Sequence, residues 1–196
     1  MFEPDLAEPD GRRRRSLDSR ARIVAALLEL TREGLISPSA ELVAGRAGVG
    51  LRTVFRHFND MESLYREMSD TIEVELRAAA ARPFAGATWR ARLLEMVERR
   101  AEGFEAIAPF RRASDVYRRG SKVLQDDHAM LAAALRAILV RETPEHLRRD
   151  KARFEALDLL LSYEAWSRLR DEQRLSPTQA RAALSAAVVA LIGPEA

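Results

Sequence analysis

Apolar residues recur along this chain at the three- and four-residue spacing of a single helix face. No stretch shows the strict alternation of apolar and polar residues that is typical of a half-buried strand. The pattern therefore predicts an all-α fold of about nine helices. One apolar stripe, which extends over about 20 residues, consists of Met61, Leu64, Met68, Ile72 and Leu76.

Capping residues and helix breakers divide this pattern into separate helices. Gly34 is expected to end the first helix, and Asn59 with Glu62 has the spacing of a capping box. Pro109 is expected to begin a short helix of its own, and Thr143 to cap a long one. The predicted helices cover approximately residues 19–32, 51–58, 88–107, 109–120, 121–141 and 144–173, with a further helix before Gly48, one of about 20 residues after Asn59 and one from Ser176 to Gly193.

Two short helices joined by a tight turn are predicted by the stretch SPSAELVAGRAGVGLRTVFRHF. Ser37 or Ser39 can cap the first helix, because a serine side chain accepts a hydrogen bond from a first-turn N–H. Gly48 lies where the chain must turn sharply, and we expect a positive φ there. With Ala44 at the crossing and Val54 facing inward, the spacing fits a helix-turn-helix, although an ordinary helical hairpin would share it.

The longer string AGVGLRTVFRHFNDMESLY resembles the signature of the TetR family of transcription regulators. The match runs without a gap from Val43 to Leu64. Two positions depart from the family pattern. Gly50 stands where Ser or Thr usually caps the recognition helix, and Phe55 stands where a Tyr hydroxyl commonly meets a phosphate. Both departures predict slightly weaker contacts with the DNA backbone.

The resemblance implies a sequence-specific DNA-binding regulator, a homodimeric repressor that a small-molecule ligand releases from its operator. It implies a helix-turn-helix domain at residues 17–65 and a C-terminal regulatory and dimerisation domain at 66–196. Residues 1–16 have two prolines, a glycine and no periodicity, and are expected to form a disordered basic arm. The arginine run in this arm either contacts DNA or is only a solvated tail.

The DNA-contacting residues are expected on and beside the recognition helix. Arg52 and Arg56 are candidates for base edges or phosphates, since arginine can bind guanine through two hydrogen bonds. The resemblance implies phosphate contacts for Thr53, His57 and Ser39, while Leu51 either touches a thymine methyl group or contributes nothing. The full set of candidates is Ser39, Gly50, Leu51, Arg52, Thr53, Phe55, Arg56 and His57, with Arg14 and Arg15 from the basic run.

The positive charge of the chain is concentrated on the same segment. Residues 11–58 carry ten arginines against four acidic residues, whereas the net charge of the whole chain is only +2. Phosphate contacts supply most of the non-specific affinity for DNA, so this distribution favours DNA binding.

A pocket for the effector is implied by the resemblance, among the middle helices. Its candidate residues are large apolar or aromatic side chains, each of which would suit an ordinary core position equally well. They are Trp89, Met96, Phe104, Phe110, Tyr117, Met130 and Tyr163.

The last two predicted helices are apolar over more than one face, which the core of a single chain would not cover. We favour pairing with the same two helices of a second copy, in a four-helix bundle, over a two-helix lid within one chain. The candidate interface residues are Leu161, Ala165, Leu169, Ala180, Leu184, Ala187, Val188 and Leu191.

No convergent set of reactive groups is recognisable in the sequence. The three histidines are scattered, no metal-ligand spacing occurs, and the chain has no cysteine. We therefore expect no enzyme activity, no catalytic residue, no cofactor, no bound metal and no membrane partner, and a cytoplasmic location. Two alternatives are a helix-turn-helix-headed protein-interaction module and a helical ligand carrier with secondary DNA binding.

Overall fold

The computed structural model describes residues 8–193, and over this range the chain forms helices joined by turns, with no strand. The prediction of an all-α fold is thus confirmed. Within residues 8–193, ten α-helices and one π-helix follow each other: α1 Glu8–Arg32, α2 Ala40–Ala47, α3 Leu51–His57, α4 Met61–Ala80, α5 Trp89–Arg118, α6 Lys122–Glu142, α7 Glu145–Arg149, α8 Lys151–Leu160, α9 Tyr163–Ser167, the π-helix Arg168–Glu172 and α10 Pro177–Ile192.

The first helix begins earlier than the sequence predicts. α1 starts at Glu8 and ends at Arg32, followed by Gly34 with φ +97°. The expected disorder of residues 1–16 is therefore wrong for residues 8–16, because the arginine run is itself compatible with a helix. Residues 1–7 lie outside the described residues.

The start of α4 is capped one residue later than predicted. Asp60, not Asn59, accepts a hydrogen bond from the backbone N–H of Ser63, and the Ser63 hydroxyl lies 3.3 Å from the Asp60 backbone nitrogen. Glu62, the expected second member of the box, instead accepts a hydrogen bond from the Ser121 hydroxyl at 2.6 Å. Asn59 and Asp60 are adjacent and both can cap a helix, so the sequence does not show which of the two does so.

The predicted break before Pro109 is wrong. α5 continues through this proline, which removes one backbone hydrogen bond and crowds the preceding turn. Beyond it Phe110 and Ala113 are 5% and 0% exposed, so continuing the helix buries an apolar face. That burial offsets the local penalty.

The predicted long helix over residues 144–173 is also wrong, since three helices and the π-helix occupy this segment. Asp150 caps α8 and Ser162 caps α9, each by accepting a hydrogen bond from the backbone N–H three residues later. Such side chains compete with the helix for backbone groups, and here they end it. Thr143, the predicted cap, donates instead to the carbonyl of Leu139 at 2.6 Å.

The last helix agrees with the sequence. Ser176 and Gln179 form the reciprocal capping box, and Pro177 occupies the first helical position of α10. Gly193 follows the helix with φ +76°.

The chain divides into two compact units. The first contains the described residues up to 72 together with 109–124, and the second contains residues 73–108 together with the described residues from 125. The first unit thus includes more of the chain than the predicted head of residues 17–65. No helix among residues 8–193 combines the length and hydropathy that a membrane span requires.

The core of the first unit joins α1, α2, α3 and α4 to the end of α5. Its fully buried members include Ile23, Leu27, Leu64 and Met68. Tyr65 is also fully buried, and burial raises the pKa of its phenol well above the ordinary value. These contacts form the platform on which the helix-turn-helix lies.

Candidate nucleic-acid interface

The α2–turn–α3 segment has the geometry of a helix-turn-helix. Ser39 is extended, with φ −70° and ψ 159°, and its hydroxyl accepts a hydrogen bond from the N–H of Leu42. Gly48 has φ +64° and ψ 38°, the left-handed conformation expected from the sequence. The backbone N–H of Val49 then donates to the carbonyl of Ala44 at 3.0 Å, which closes the turn.

One side of α3 is buried and holds the helix in place. Val54 is 1% exposed, and Phe58, which follows the helix, is 2% exposed. The Arg20 guanidinium lies over the Phe58 ring, 4.5 Å from its centroid, and donates to the carbonyl of His57 at 2.8 Å. The inward positions predicted for this helix are confirmed.

The opposite side of α3 carries the side chains expected to contact DNA. Leu51, Arg52, Phe55 and Arg56 are exposed, and Phe55 keeps 47% of its surface in solvent. Thr53 and His57 are half-buried. One short helix therefore offers two guanidinium groups, a hydroxyl, an imidazole and two apolar surfaces on accessible positions.

The two residues before the helices are placed by their caps. The Ser39 oxygen accepts a hydrogen bond from the Leu42 N–H, and its hydroxyl also forms a hydrogen bond with the Glu41 side chain, which a phosphate would have to displace. Gly50 is extended, with φ −74° and ψ 149°, and offers no side chain to cap α3. Without a side chain at this position, the first N–H groups of α3 are less shielded from a phosphate.

The imidazole of His57 is constrained by its surroundings. Burial, followed by the charges of Arg56 and Arg20, lowers the pKa of His57 below its ordinary value. This shift favours the neutral form of the ring. Its Nε2 is buried without a hydrogen-bond partner. A phosphate contact from this side chain in its present rotamer requires Nδ1.

Two arginines of the predicted basic segment have structural roles that the sequence does not indicate. Arg46 on α2 forms two hydrogen bonds with Glu33, at 2.7 and 2.8 Å, and this pairing lowers the pKa of Glu33. Arg20 on α1 pairs through two nitrogens with Glu67 on α4. The partners are 13 residues apart in the Arg46–Glu33 pair and 47 residues apart in the Arg20–Glu67 pair, so local sequence patterns do not predict either pair.

Arg14 and Arg15, expected on a disordered arm, are exposed on the first turns of α1. The Nε of Arg15 donates to the carbonyl of Gly11 at 3.2 Å. Helical structure fixes the direction of these side chains relative to the rest of α1.

Three solved structures resemble this chain over most of its length. A TetR-family transcriptional regulator from Streptomyces coelicolor has a TM-score of 0.67 at 18% identity, covering 89% of this chain and 80% of its own. A TetR transcriptional regulator from Rhodococcus sp. RHA1 has 0.56 at 19%, covering 92% and 97%. A second transcriptional regulator from the same Rhodococcus has 0.60 at 21%, covering 88% and 95%. The chain has the TetR-regulator fold. No protein-family model matches the sequence, and neither does any curated protein.

The second unit of this TetR fold contains a cavity of about 100 Å³ between α4, α5 and α6. Met96 and Phe104, two of the predicted pocket residues, line it. Sequence reasoning missed most of the wall, which comes from small and aliphatic residues of the three helices, three arginines and Phe84. The remaining lining residues are Leu76, Ala79, Ala80, Arg82, Phe84, Arg99, Arg100, Gly103, Ile107, Leu131, Ala134, Leu135 and Ile138.

The other predicted pocket residues do not line this cavity. In the first unit, Phe110 is buried in the core and Tyr117 packs on Tyr65, with ring centroids 4.7 Å apart. In the second unit, Trp89 contacts the ring of His146, and Met130 is 49% exposed. Tyr163 contacts the cavity residue Phe104 edge-on, with centroids 5.7 Å apart.

The predicted dimer residues divide into two groups. Leu161, Ala180, Leu184 and Val188 are at most 5% exposed and are buried within the chain itself. The half-buried group is Ala165, Leu169, Ala187 and Leu191.

The outer face of α10 is nevertheless apolar. Ala182, Ala183, Ala186, Val189 and Ala190 are all exposed, and Val189 keeps 47% of its surface in solvent. Helical spacing places these residues on one side of the helix.

Proposed function

We propose that this chain is a sequence-specific DNA-binding transcriptional regulator in which α3 enters the major groove. The observation that carries the proposal is the accessible face of α3, held on a helix-turn-helix by the burial of Val54 and Phe58. In the helix-turn-helix mode, the second helix reads base edges. The fold shared with transcriptional regulators supports the same conclusion.

The contacts divide by chemistry. Arg52 and Arg56 are exposed, unlike the paired Arg20 and Arg46, and supply the guanidinium groups for base edges or adjacent phosphates. The polar groups at the edge of the face supply phosphate contacts and fix the register. They are Ser39, Thr53 and His57, together with the backbone at Gly50. Leu51 and Phe55 supply apolar contact, and Arg14 and Arg15 extend the positive surface along α1.

A homodimer presents two copies of α3 to DNA. Two recognition helices bind successive major grooves when they lie about 34–36 Å apart. The exposed apolar face of α10 supports a second copy as the partner in this arrangement, because such a face is unfavourable in water.

Regulation follows from the cavity of the second unit. We propose a repressor whose affinity for its operator falls when a small molecule binds there, which requires that the ligand bind one arrangement of the dimer more tightly than the other. The chain then acts in the cytoplasm and needs neither a cofactor nor catalytic groups.

The test is fluorescence anisotropy with a labelled duplex obtained from a pooled-sequence selection, at two salt concentrations. We expect tight binding that weakens with salt, because phosphate contacts release counterions. The double variant Arg52→Ala, Arg56→Ala should lose at least about tenfold in affinity, since a good bidentate base contact contributes about 1–3 kcal/mol. Arg148→Ala removes an exposed arginine from α7 and serves as the matched control.

Selection of no duplex at all would contradict the proposal. So would an unchanged affinity in the double variant, because the exposed face of α3 would then play no part in binding.

A further inference from the structure

Three arginines line the cavity in the second unit, and they differ in how their charges are compensated. Arg99 pairs with Glu95 and donates to the carbonyls of Arg82 and Pro83, both at 2.6 Å. Arg82 is exposed to solvent. Arg100 is only 7% exposed and lies where water cannot screen its charge.

Arg100 is held by carbonyl groups. Its Nη1 donates to the carbonyl of Leu161 and its Nη2 to that of Leu135, each at 2.6 Å. A guanidinium has five N–H donors, and these two bonds use two of them. Carbonyl groups position the side chain without neutralising its charge.

No carboxylate of the described residues forms a hydrogen bond with Arg100. Asp158 acts on it through charge alone, while its own carboxylate accepts a hydrogen bond from Arg136 at 2.5 Å. Burial lowers the pKa of Arg100 to about 10, so the group remains a cation at neutral pH. A buried cation without a paired anion is unfavourable, and an anion that enters the cavity would remove this penalty.

The rest of the wall is suited to a hydrocarbon. A single water needs roughly 10–15 Å³ of such space, so a cavity of about 100 Å³ has room for a molecule of several heavy atoms. Leu76, Met96, Phe104, Ile107, Leu131 and Ile138 face this space. An occupant therefore needs one anionic group and an apolar body.

We propose that the effector is an apolar carboxylic acid, whose carboxylate pairs with the Arg100 guanidinium while its hydrocarbon part fills the cavity between α4, α5 and α6. This inference rests on the proposed function, since it names the ligand class of the regulatory cavity. A monoanion is favoured because Arg99 is already neutralised by Glu95, which leaves one buried charge to balance. Arginine and carboxylate match in planar, two-bond geometry.

The test compares acids with neutral analogues of the same shape. Isothermal titration calorimetry on the full chain would measure decanoate against 1-decanol, and 2-naphthoate against 2-naphthalenemethanol. We expect at least one acid to bind about tenfold or more tightly than its alcohol. The pair that shows the preference identifies an aliphatic or an aromatic body. Equal binding of acid and alcohol in both pairs overturns the proposal, as does no binding of any of the four probes.

Substitutions then assign the preference to Arg100. Arg100→Gln should reduce the preference for the acid to about onefold while binding of the alcohol changes less than about threefold. Arg92→Gln is the matched control, because Arg92 lies on the same helix, pairs with Glu142 and does not line the cavity. A preference that survives in Arg100→Gln overturns the proposal. If that variant does not fold, Arg100→Lys serves instead, and it should reduce but keep the preference. The comparison of the four probes on the unsubstituted chain needs no variant.

The DNA measurement is a separate readout. Preference for an acid in a chain that selects no duplex would remove the proposed function and leave the ligand class in place. Operator binding without any preference for an acid would support the proposed function and remove the proposed ligand class.

Discussion

Gly45 and Gly48 lie three residues apart, at the end of α2, but their backbones differ. Gly45 is inside the helix, where a methyl group would meet nothing within 4 Å. Gly48 has φ +64°, and the nearest atom to an added methyl group is the Arg22 Nη1 at 3.9 Å. Space is therefore available at both positions, and only the backbone conformation distinguishes them.

Opposite effects on stability follow for the two alanine variants. Gly48→Ala should destabilise the chain by about 1–2 kcal/mol, because an L-residue is strained in the left-handed region. Gly45→Ala should stabilise it by about 0.5–1 kcal/mol, because alanine loses less conformational freedom in a helix. Urea unfolding followed by far-UV circular dichroism measures both. A Gly48→Ala variant as stable as the unsubstituted chain would show that the turn does not need this conformation.

At the scale of helices and turns, a carboxylate on α5 contacts both α9 and the π-helix that follows it. Glu105 on α5 accepts hydrogen bonds from the Trp166 Nε1 at 2.9 Å and from the Arg170 Nε at 2.7 Å. The pairing with Glu105 raises the pKa of Arg170. Trp166 is 1% exposed, so its indole N–H has no access to water if this acceptor is lost.

Glu105→Gln should therefore destabilise the chain by about 1–3 kcal/mol, the range for hydrogen bonds to charged groups. The amide keeps one acceptor but removes the charge that faces Arg170. Thermal or urea unfolding gives the free energy, and Trp166 emission in a Trp89→Phe background reports the local environment. Glu102→Gln, at an exposed position of the same helix, is the control. If both variants unfold alike and leave the emission unchanged, Glu105 does not hold this segment.

Helix ends could be predicted where a residue or motif occurs mainly at helix ends. Gly34, Gly48 and the Ser176–Gln179 box all fall at the predicted helix ends. Asp150 and Ser162 were missed because the same residues also occur inside helices, where their side chains point to solvent.

The candidate site divides in the same way. The face of α3 could be predicted because it depends on a contiguous stretch of chain, and its buried and exposed positions follow from helical spacing. The cavity could not be predicted from the sequence, because an aromatic or aliphatic residue is equally suited to a packed core and to a cavity wall. Nothing in the sequence indicates that Arg100 is buried, since arginine is common along this chain and the burial of this one results from the fold.

At the scale of the whole molecule, the question is how many copies act together. A single exposed α3 would bind DNA more weakly than two linked copies. Once one copy of α3 is bound, the linkage gives the second copy a high effective concentration at the DNA. The apolar outer face of α10 is the surface we propose for that linkage, and Val189 is its largest exposed side chain.

Val189→Arg should therefore separate the copies without unfolding the chain, since this side chain is not part of the core of α10. Light scattering after size exclusion should give twice 22.0 kDa for the unsubstituted chain and 22.0 kDa for the variant. Affinity for the selected duplex should fall by about a hundredfold, the scale of lost bivalency. Ala132→Arg, an exposed alanine on α6, is the control and should leave both values unchanged. A Val189→Arg variant that still has twice the mass would place the pairing surface elsewhere on the molecule. A chain that is monomeric without substitution and binds the duplex tightly would remove the need for two copies, and α3 of one chain would then account for the whole affinity.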